Sequence, residues 1–203
     1  MRHVVLLGDS IFDNGIYVPG HPAVIEQLRD KLPEAWSATL LARDGDVTGD
    51  VAQQIEDLPE DATDLVISAG GNDALGHSHL LDKVDSLVEL PEVLAEVLPS
   101  FEHAYAAMLE EVLALGRSTT VCTIYDRCPF PQAEWRERVP IALEAFNNYI
   151  LDMAAARDVS AIELRDICTD TNDYSTVSPI EPSHIGGEKI SRAILEHLVH
   201  RET

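Results

Sequence analysis

Five short apolar runs, each closed by turn residues or charges, recur along the chain with longer helical stretches between them. This alternation constrains the fold more than any other feature of the sequence. The runs are "HVVLLG" (3–8), "WSATLLA" (36–42), "DLVISAG" (64–70), "STTVCTI" (118–124) and "VSAIEL" (159–164), and their length and bounds read as strands. The stretches 21–32, 51–58, 101–116, 139–158 and 186–201 read as helices; in the third, Phe101, Tyr105, Met108, Leu109, Val112 and Leu113 share one stripe and Gly116 stands as C-cap. Strands separated by helices predict a parallel sheet, because parallel neighbours need crossovers and crossovers are helices. At 203 residues and 45% hydrophobic, the chain suits a single core. The expectation is one α/β domain over 1–203, with a five-stranded parallel sheet covered on both faces in a three-layer α/β/α sandwich. The stretch 75–100, with Pro91 and Pro99 as breaks, is expected to form a helical insertion that covers part of a site.

Ligands of an open parallel sheet bind outside the carboxyl ends of its strands, so the residues just after each run are the ones that carry function. After the first comes "GDS" (8–10), after the second "RDGDVTGD" (43–50), after the third "GGND" (70–73), and after the fifth a loop that ends in "EPSH" (181–184). These loops deliver a serine, a glycine, an asparagine, and a histidine with a carboxylate three positions ahead of it. Such a set fits acyl transfer: a nucleophile, a general base with an orienting acid, and donors for an oxyanion. Ser10 is the candidate nucleophile and His184 the base that takes its proton. The Ser10 and Gly49 backbone N–H groups and the Asn72 amide are the candidate oxyanion donors, and losing one such donor typically costs on the order of 3 kcal/mol. Asp9, Asp13 and Asp50 are read as turn-fixing residues.

Through "GDSIFDNG" (8–15), "VTGDVAQQI" (47–55), "GGND" and "EPSH", nearly the whole chain resembles the GDSL or SGNH hydrolases, a group of esterases, lipases, thioesterases and carbohydrate deacetylases. The resemblance implies a flavodoxin-like sandwich with Ser10 as nucleophile, Gly49 and Asn72 in the oxyanion hole and His184 as base. Glu181 stands where the family usually carries Asp. It can hold the imidazole in the productive tautomer and stabilise the imidazolium; the alternative is that a backbone carbonyl or Asp173 orients His184.

With 36 acidic against 14 basic residues, the net charge of -22 repels polyphosphate backbones and anionic lipid, so nucleic acid is not an expected partner. Cys122, Cys128 and Cys168 are odd in number and lack metal-ligand spacing, which predicts reduced thiols and no structural zinc. No apolar run reaches 18 residues and the N-terminal run is too short for a signal core, so no membrane span is expected and the localisation read from the chain as given is cytoplasmic. The expected activity is that of a carboxylic ester hydrolase on a small-molecule ester, small acyl or acetyl esters favoured, with no metal or organic cofactor. Ile11, Phe12 and the segment 125–135 with Phe130 are candidates either for an apolar wall around an acyl or alkyl group or, equally, for core packing, and Arg127 for contact with an anionic leaving group. One rival reading takes the Asp, Asn and His residues of "GDVTGD", "GGND" and "GHSH" (76–79) as ligands of a metal-dependent phosphoesterase. The other is a non-catalytic relative that acts as a binding module.

Overall fold

The first apolar run becomes the middle of the sheet. In the computed structural model, which describes residues 2–201, β1 (Arg2–Gly8) pairs in parallel with β2 (Trp36–Leu40) on one side and β3 (Asp64–Ser68) on the other. β4 (Ser118–Cys122) and β5 (Ser160–Ile162) complete the order β2-β1-β3-β4-β5, every pair parallel. This is the flavodoxin-like order of a doubly wound sheet. Its side chains divide between two cores by strict alternation: Val4, Leu6 and Val66 point to one face, whereas Val5, Leu7, Leu65 and Ile67 point to the other. In β1, β3 and β4 most positions are buried on both faces, which explains why these strands read as continuous apolar runs.

Chain order then decides which helix covers which face, because crossovers between parallel strands are right-handed. The helices are α1 (Val24–Lys31), α2 (Val51–Gln54), α3 (Gly71–Gly76), α4 (Leu90–Ala114), α5 (Ala133–Ala156), α6 (Leu164–Ile167) and α7 (His184–His200). The step from β1 out to β2 carries α1 to one face, where Val24 and Leu28 pack with Ile190, Ile194 and Leu198 of α7. The steps from β3 to β4 and β5 run the other way and carry α4 and α5 to the opposite face, where Phe101, Tyr105 and Leu109 meet Phe146 and Ile150. All three cysteines are free and buried. No helix among the described residues is long and apolar enough to cross a membrane.

The elements depart from expectation at their ends. β2 stops at Leu40 because the N–H groups of Leu41 and Ala42 both donate to the Leu6 carbonyl, which turns the chain away from the sheet. The break expected at Pro99 is absent: α4 begins at Leu90 and runs through it. A proline inside a helix costs about 3 kcal/mol. Burying each of Leu90, Val97, Phe101 and Tyr105 contributes about 1.5–3 kcal/mol, so the buried stripe prevails. The carbonyl that loses its donor is that of exposed Ala95, where water can replace it.

Candidate active site

The order β2-β1-β3 puts the topological switch between β1 and β3, the place where a doubly wound sheet binds its ligand. Ser10 follows β1 directly, Asn72 sits in the first turn of α3 after β3, and both line one cavity. The turn that presents Ser10 closes locally: Phe12 N–H and Asp13 N–H donate to the Asp9 carbonyl, and Ile11 N–H donates to Asp9 Oδ1 at 3.1 Å. Asp50 Oδ2 accepts from Val47 N–H, so Asp9 and Asp50 serve turns, as expected from the sequence, whereas Asp13 Oδ2 accepts from Asp44 N–H, 31 positions away, and joins two loops.

Gln54 and Asn14, buried amides with no role in the sequence reading, join Asn72 in binding these loops into one body. Gln54 is fully buried; its Oε1 accepts from Gly8 N–H at 2.8 Å, while its Nε2 donates to the Gly8 carbonyl and to Asp46 Oδ2, both at 2.7 Å. Asn72 Nδ2 donates to the Asp46 carbonyl at 2.8 Å, and Asp73 Oδ2 accepts from both Thr48 N–H and Thr48 Oγ1 at 2.9 Å. The loop that carries Gly49 is thereby tied to the β1 end and to α3. Gly49 itself is exposed and does not line the cavity, and a Cβ there would meet nothing within 4 Å, so its packing does not demand glycine. Asn14 joins the third loop: its Nδ2 donates to the Pro182 carbonyl and its Oδ1 accepts from Val24 N–H. The sequence signal for these residues was weak, a polar amide beside an apolar run, but a buried polar group without a partner is costly and so points to a bond.

Glu181 and His184, three residues apart, face different surroundings. Glu181 is buried, lines the cavity beside Ser10, and leaves Oε2 without a hydrogen-bond partner among the described residues. His184 opens α7, is exposed and lies outside the cavity, its ring stacked on that of His21 with centroids 4.0 Å apart and planes 9° apart. Among the described residues no side-chain hydrogen bond of the His184 imidazole is formed. Ser183 sets the helix start by capping Ile185 and Gly186 N–H groups, and Gly186 permits contact with the preceding loop, since a Cβ there would lie 2.1 Å from the Asp173 carbonyl oxygen. Asp173, the alternative partner for His184, binds Lys189 Nζ at 2.7 Å through Oδ2, while its buried Oδ1, like Glu181 Oε2, has no hydrogen-bond partner among the described residues.

Burial pushes the Asp9 carboxyl up to about 8; the Ile11 N–H opposes this, while Glu181 and Asp73 add repulsion. Burial likewise pushes Glu181 up to about 7, with the Ser10 hydroxyl favouring its ionised form. Both carboxyls hold protons more tightly in the folded chain than at their ordinary values of 3.8 and 4.5, so the native state binds the extra protons between roughly pH 4 and 8. Their contribution to stability is full below that window and is lost as pH rises through it. Urea midpoints measured from pH 5 to pH 8 are expected to fall from this contribution, and Asp9→Asn, which keeps an acceptor for Ile11 N–H, is expected to flatten the decline. An unchanged slope in that variant would exclude Asp9 as a cause.

The cavity has a volume of about 120 Å³ and its wall is mostly apolar; its polar members are Asp9, Ser10, Ser68, Asn72 and Glu181, with His77 and Ser78 from the insertion. Residues from the insertion 75–100 form much of that wall, as the sequence led us to expect. Ile11, Tyr125, Phe130 and Trp135 also line it, whereas Phe12 is wholly buried in the core against α1 and α7, and Arg127 is exposed away from it. Among the described residues no group of three or more His, Cys, Asp or Glu is placed to hold a metal ion, and the phosphoesterase reading needs such a group.

A flavodoxin-like sandwich with a serine at the end of β1 and an asparagine just beyond β3 has the architecture of the SGNH hydrolases. The sequence profile of the GDSL-like Lipase/Acylhydrolase family matches residues 6–184, and the chain belongs to that family. Similar solved structures include the lipase Lip_vut3 from a goat rumen metagenome, 20% identical with a TM-score of 0.74 and 97% of each chain covered. The extracellular lipase of Streptomyces rimosus is 16% identical with a TM-score of 0.76, covering 97% of this chain and 99% of its own. Phospholipase A1 of Streptomyces albidoflavus is 16% identical with a TM-score of 0.73, covering 96% and 98%. At such identities the likeness is one of fold. No curated protein matched the sequence.

Proposed function

We propose that the protein hydrolyses carboxylic esters through an acyl-enzyme formed on Ser10. The observation that carries this reading is that Ser10 and Asn72, held on neighbouring strand ends by the Gln54 and Asp46 bonds, share one apolar cavity. Ser10 Oγ attacks the ester carbonyl as its proton passes to His184; the tetrahedral intermediate collapses, the alcohol leaves with that proton, and water then repeats the sequence to release the acid. One Asn72 amide hydrogen is engaged by the Asp46 carbonyl, which leaves the second for the oxyanion together with the Ser10 and Gly49 N–H groups.

The proposed chemistry requires a mobile base, because the exposed His184 ring is stacked on His21 and lies outside the cavity. His184 leaves the His21 ring by side-chain rotation, a ps–ns event for an exposed residue, and turns toward Ser10. Glu181 Oε2, buried and unpartnered, is the acceptor for its ring N–H; a buried oxygen left unpaired costs about 1–3 kcal/mol, which that bond recovers.

Treatment with a fluorophosphonate, followed by peptide mass spectrometry, tests the reading. A single adduct on Ser10, with p-nitrophenyl butyrate hydrolysis lost in step and untouched by EDTA, is the expected result. Hydrolysis that survives the reagent and stops with EDTA would return the metal-dependent reading. Neither adduct nor hydrolysis would favour the binding module.

A further inference from the structure

We propose that the cavity is an acyl-chain site that selects esters of medium-chain monocarboxylic acids, about six carbons long, with little selection on the alcohol; this rests on the serine hydrolase reading above. Two helices build it with the same spacing. Leu90, Leu94 and Val97 of α4, and Val139, Leu143 and Phe146 of α5, each fall at i, i+4 and i+7 and form facing apolar stripes. The roof is the 3₁₀ segment Ser78–Lys83, fastened to α5 by Trp135 Nε1 donating to Asp82 Oδ1 at 2.8 Å and by Arg138 Nη1 donating to the Leu81 carbonyl at 2.6 Å. The chamber therefore has a fixed roof over two apolar walls, and the groups of the proposed reaction stand at one end of it.

Direction follows from where those groups lie. Ser10 and Asn72 line the cavity, whereas Gly49 and His184 are exposed outside it. The base that takes the Ser10 proton must return it to the departing alcohol oxygen, so the alcohol faces the open, His184 side and the acyl group takes the chamber. A cavity of about 150 Å³ lined by aliphatic and aromatic side chains admits a six-carbon ring, so one of about 120 Å³ takes roughly five carbons beyond the carbonyl. The sequence favoured acetyl and other small esters on its modest aromatic content; the length of the stripes argues for a longer chain, because an acetyl group would leave most of both walls without contact.

A series of ethyl and p-nitrophenyl esters from acetate to palmitate tests this. With each buried methylene favourable by the transfer of one CH₂, kcat/KM is expected to rise about fourfold per carbon to near hexanoate, roughly 10²-fold in all, and then to level or fall. The same acids esterified with methanol, ethanol or butanol should differ by less than about fourfold. A preference for acetate, or a steady rise to palmitate, would overturn the proposal. Leu94→Trp should lower the hexanoate-to-acetate ratio toward one, and a ratio unchanged in a folded variant would also overturn it. Calorimetry on the Ser10→Ala protein separates this proposal from the reaction itself. Ethyl hexanoate bound at least tenfold more tightly than ethyl acetate supports the chamber even if no ester is cleaved, and equal binding overturns it. Loss of Ser10-dependent cleavage across the whole series would instead sink the hydrolase reading.

Discussion

Replacing Ser10 with alanine will lower kcat for ester hydrolysis by roughly 10⁴- to 10⁶-fold, the loss expected when the nucleophile of a serine triad is removed. The fold should survive. Ser10 is buried in a turn closed by the Asp9 carbonyl and by Asp9 Oδ1, and neither bond uses the Ser10 side chain. Removing the hydroxyl takes from Glu181 the neighbour that favours its ionised form, so the Glu181 carboxyl should hold its proton to still higher pH in the variant. Stopped assays on p-nitrophenyl butyrate, paired with calorimetric melting, read both effects together. An alanine protein that keeps a tenth of wild-type activity with an unchanged melt would remove Ser10 from the chemistry.

Gly8→Ala should be far more damaging to folding than any change inside the cavity. Gly8 has φ +119, a region that L side chains rarely adopt, and an added Cβ would lie 1.7 Å from the Ser68 carbonyl oxygen. The strand cannot shift to relieve this clash, because both the N–H and the carbonyl of Gly8 are held by Gln54. The expected loss exceeds about 4 kcal/mol, the range reserved for strain and broken buried networks. For a chain of this size that corresponds to roughly 8–16 °C in Tm. Gly15→Ala, where a Cβ meets nothing within 4 Å, serves as the comparison and should melt near wild type. Equal melting of the two variants would show that the β1 end is less rigid than its bonds suggest.

The sequence made the sheet legible because a doubly covered strand leaves no polar alternation to confuse it: Val4 to Leu7 and Leu65 to Ile67 are apolar at every position, and all are buried. Parallel pairing followed from alternation with helices, the flavodoxin-like arrangement only from the resemblance to the SGNH hydrolases, and the position of Ser10 and Asn72 at strand ends from the runs they follow. Pro99 misled because local propensity is small beside burial of a long stripe, and that burial depends on α5 and the sheet, which no window of sequence contains. Between the two readings open for Phe12 the structure takes packing; nearness to Ser10 in sequence says nothing of which face a turn presents, and this one sends the ring into the core. The pairing of His184 with His21 was not legible at all, since two histidines 163 positions apart carry no pattern that joins them. The chamber was only partly so: an insertion could be seen, but not that its stripe would face a second one on α5.

The bond from Asn14 to the Pro182 carbonyl spans 168 positions of the chain. Ribosomes add about 5–20 residues per second, so roughly ten to thirty seconds separate the appearance of the turn that carries Ser10 from that of the segment it must hold. During that interval Ser10 exists without Glu181, without His184 and without the α7 surface that buries α1. On the proposed mechanism a nascent chain that presents Ser10 alone cleaves no ester, and competence waits for the segment 181–184 to join it.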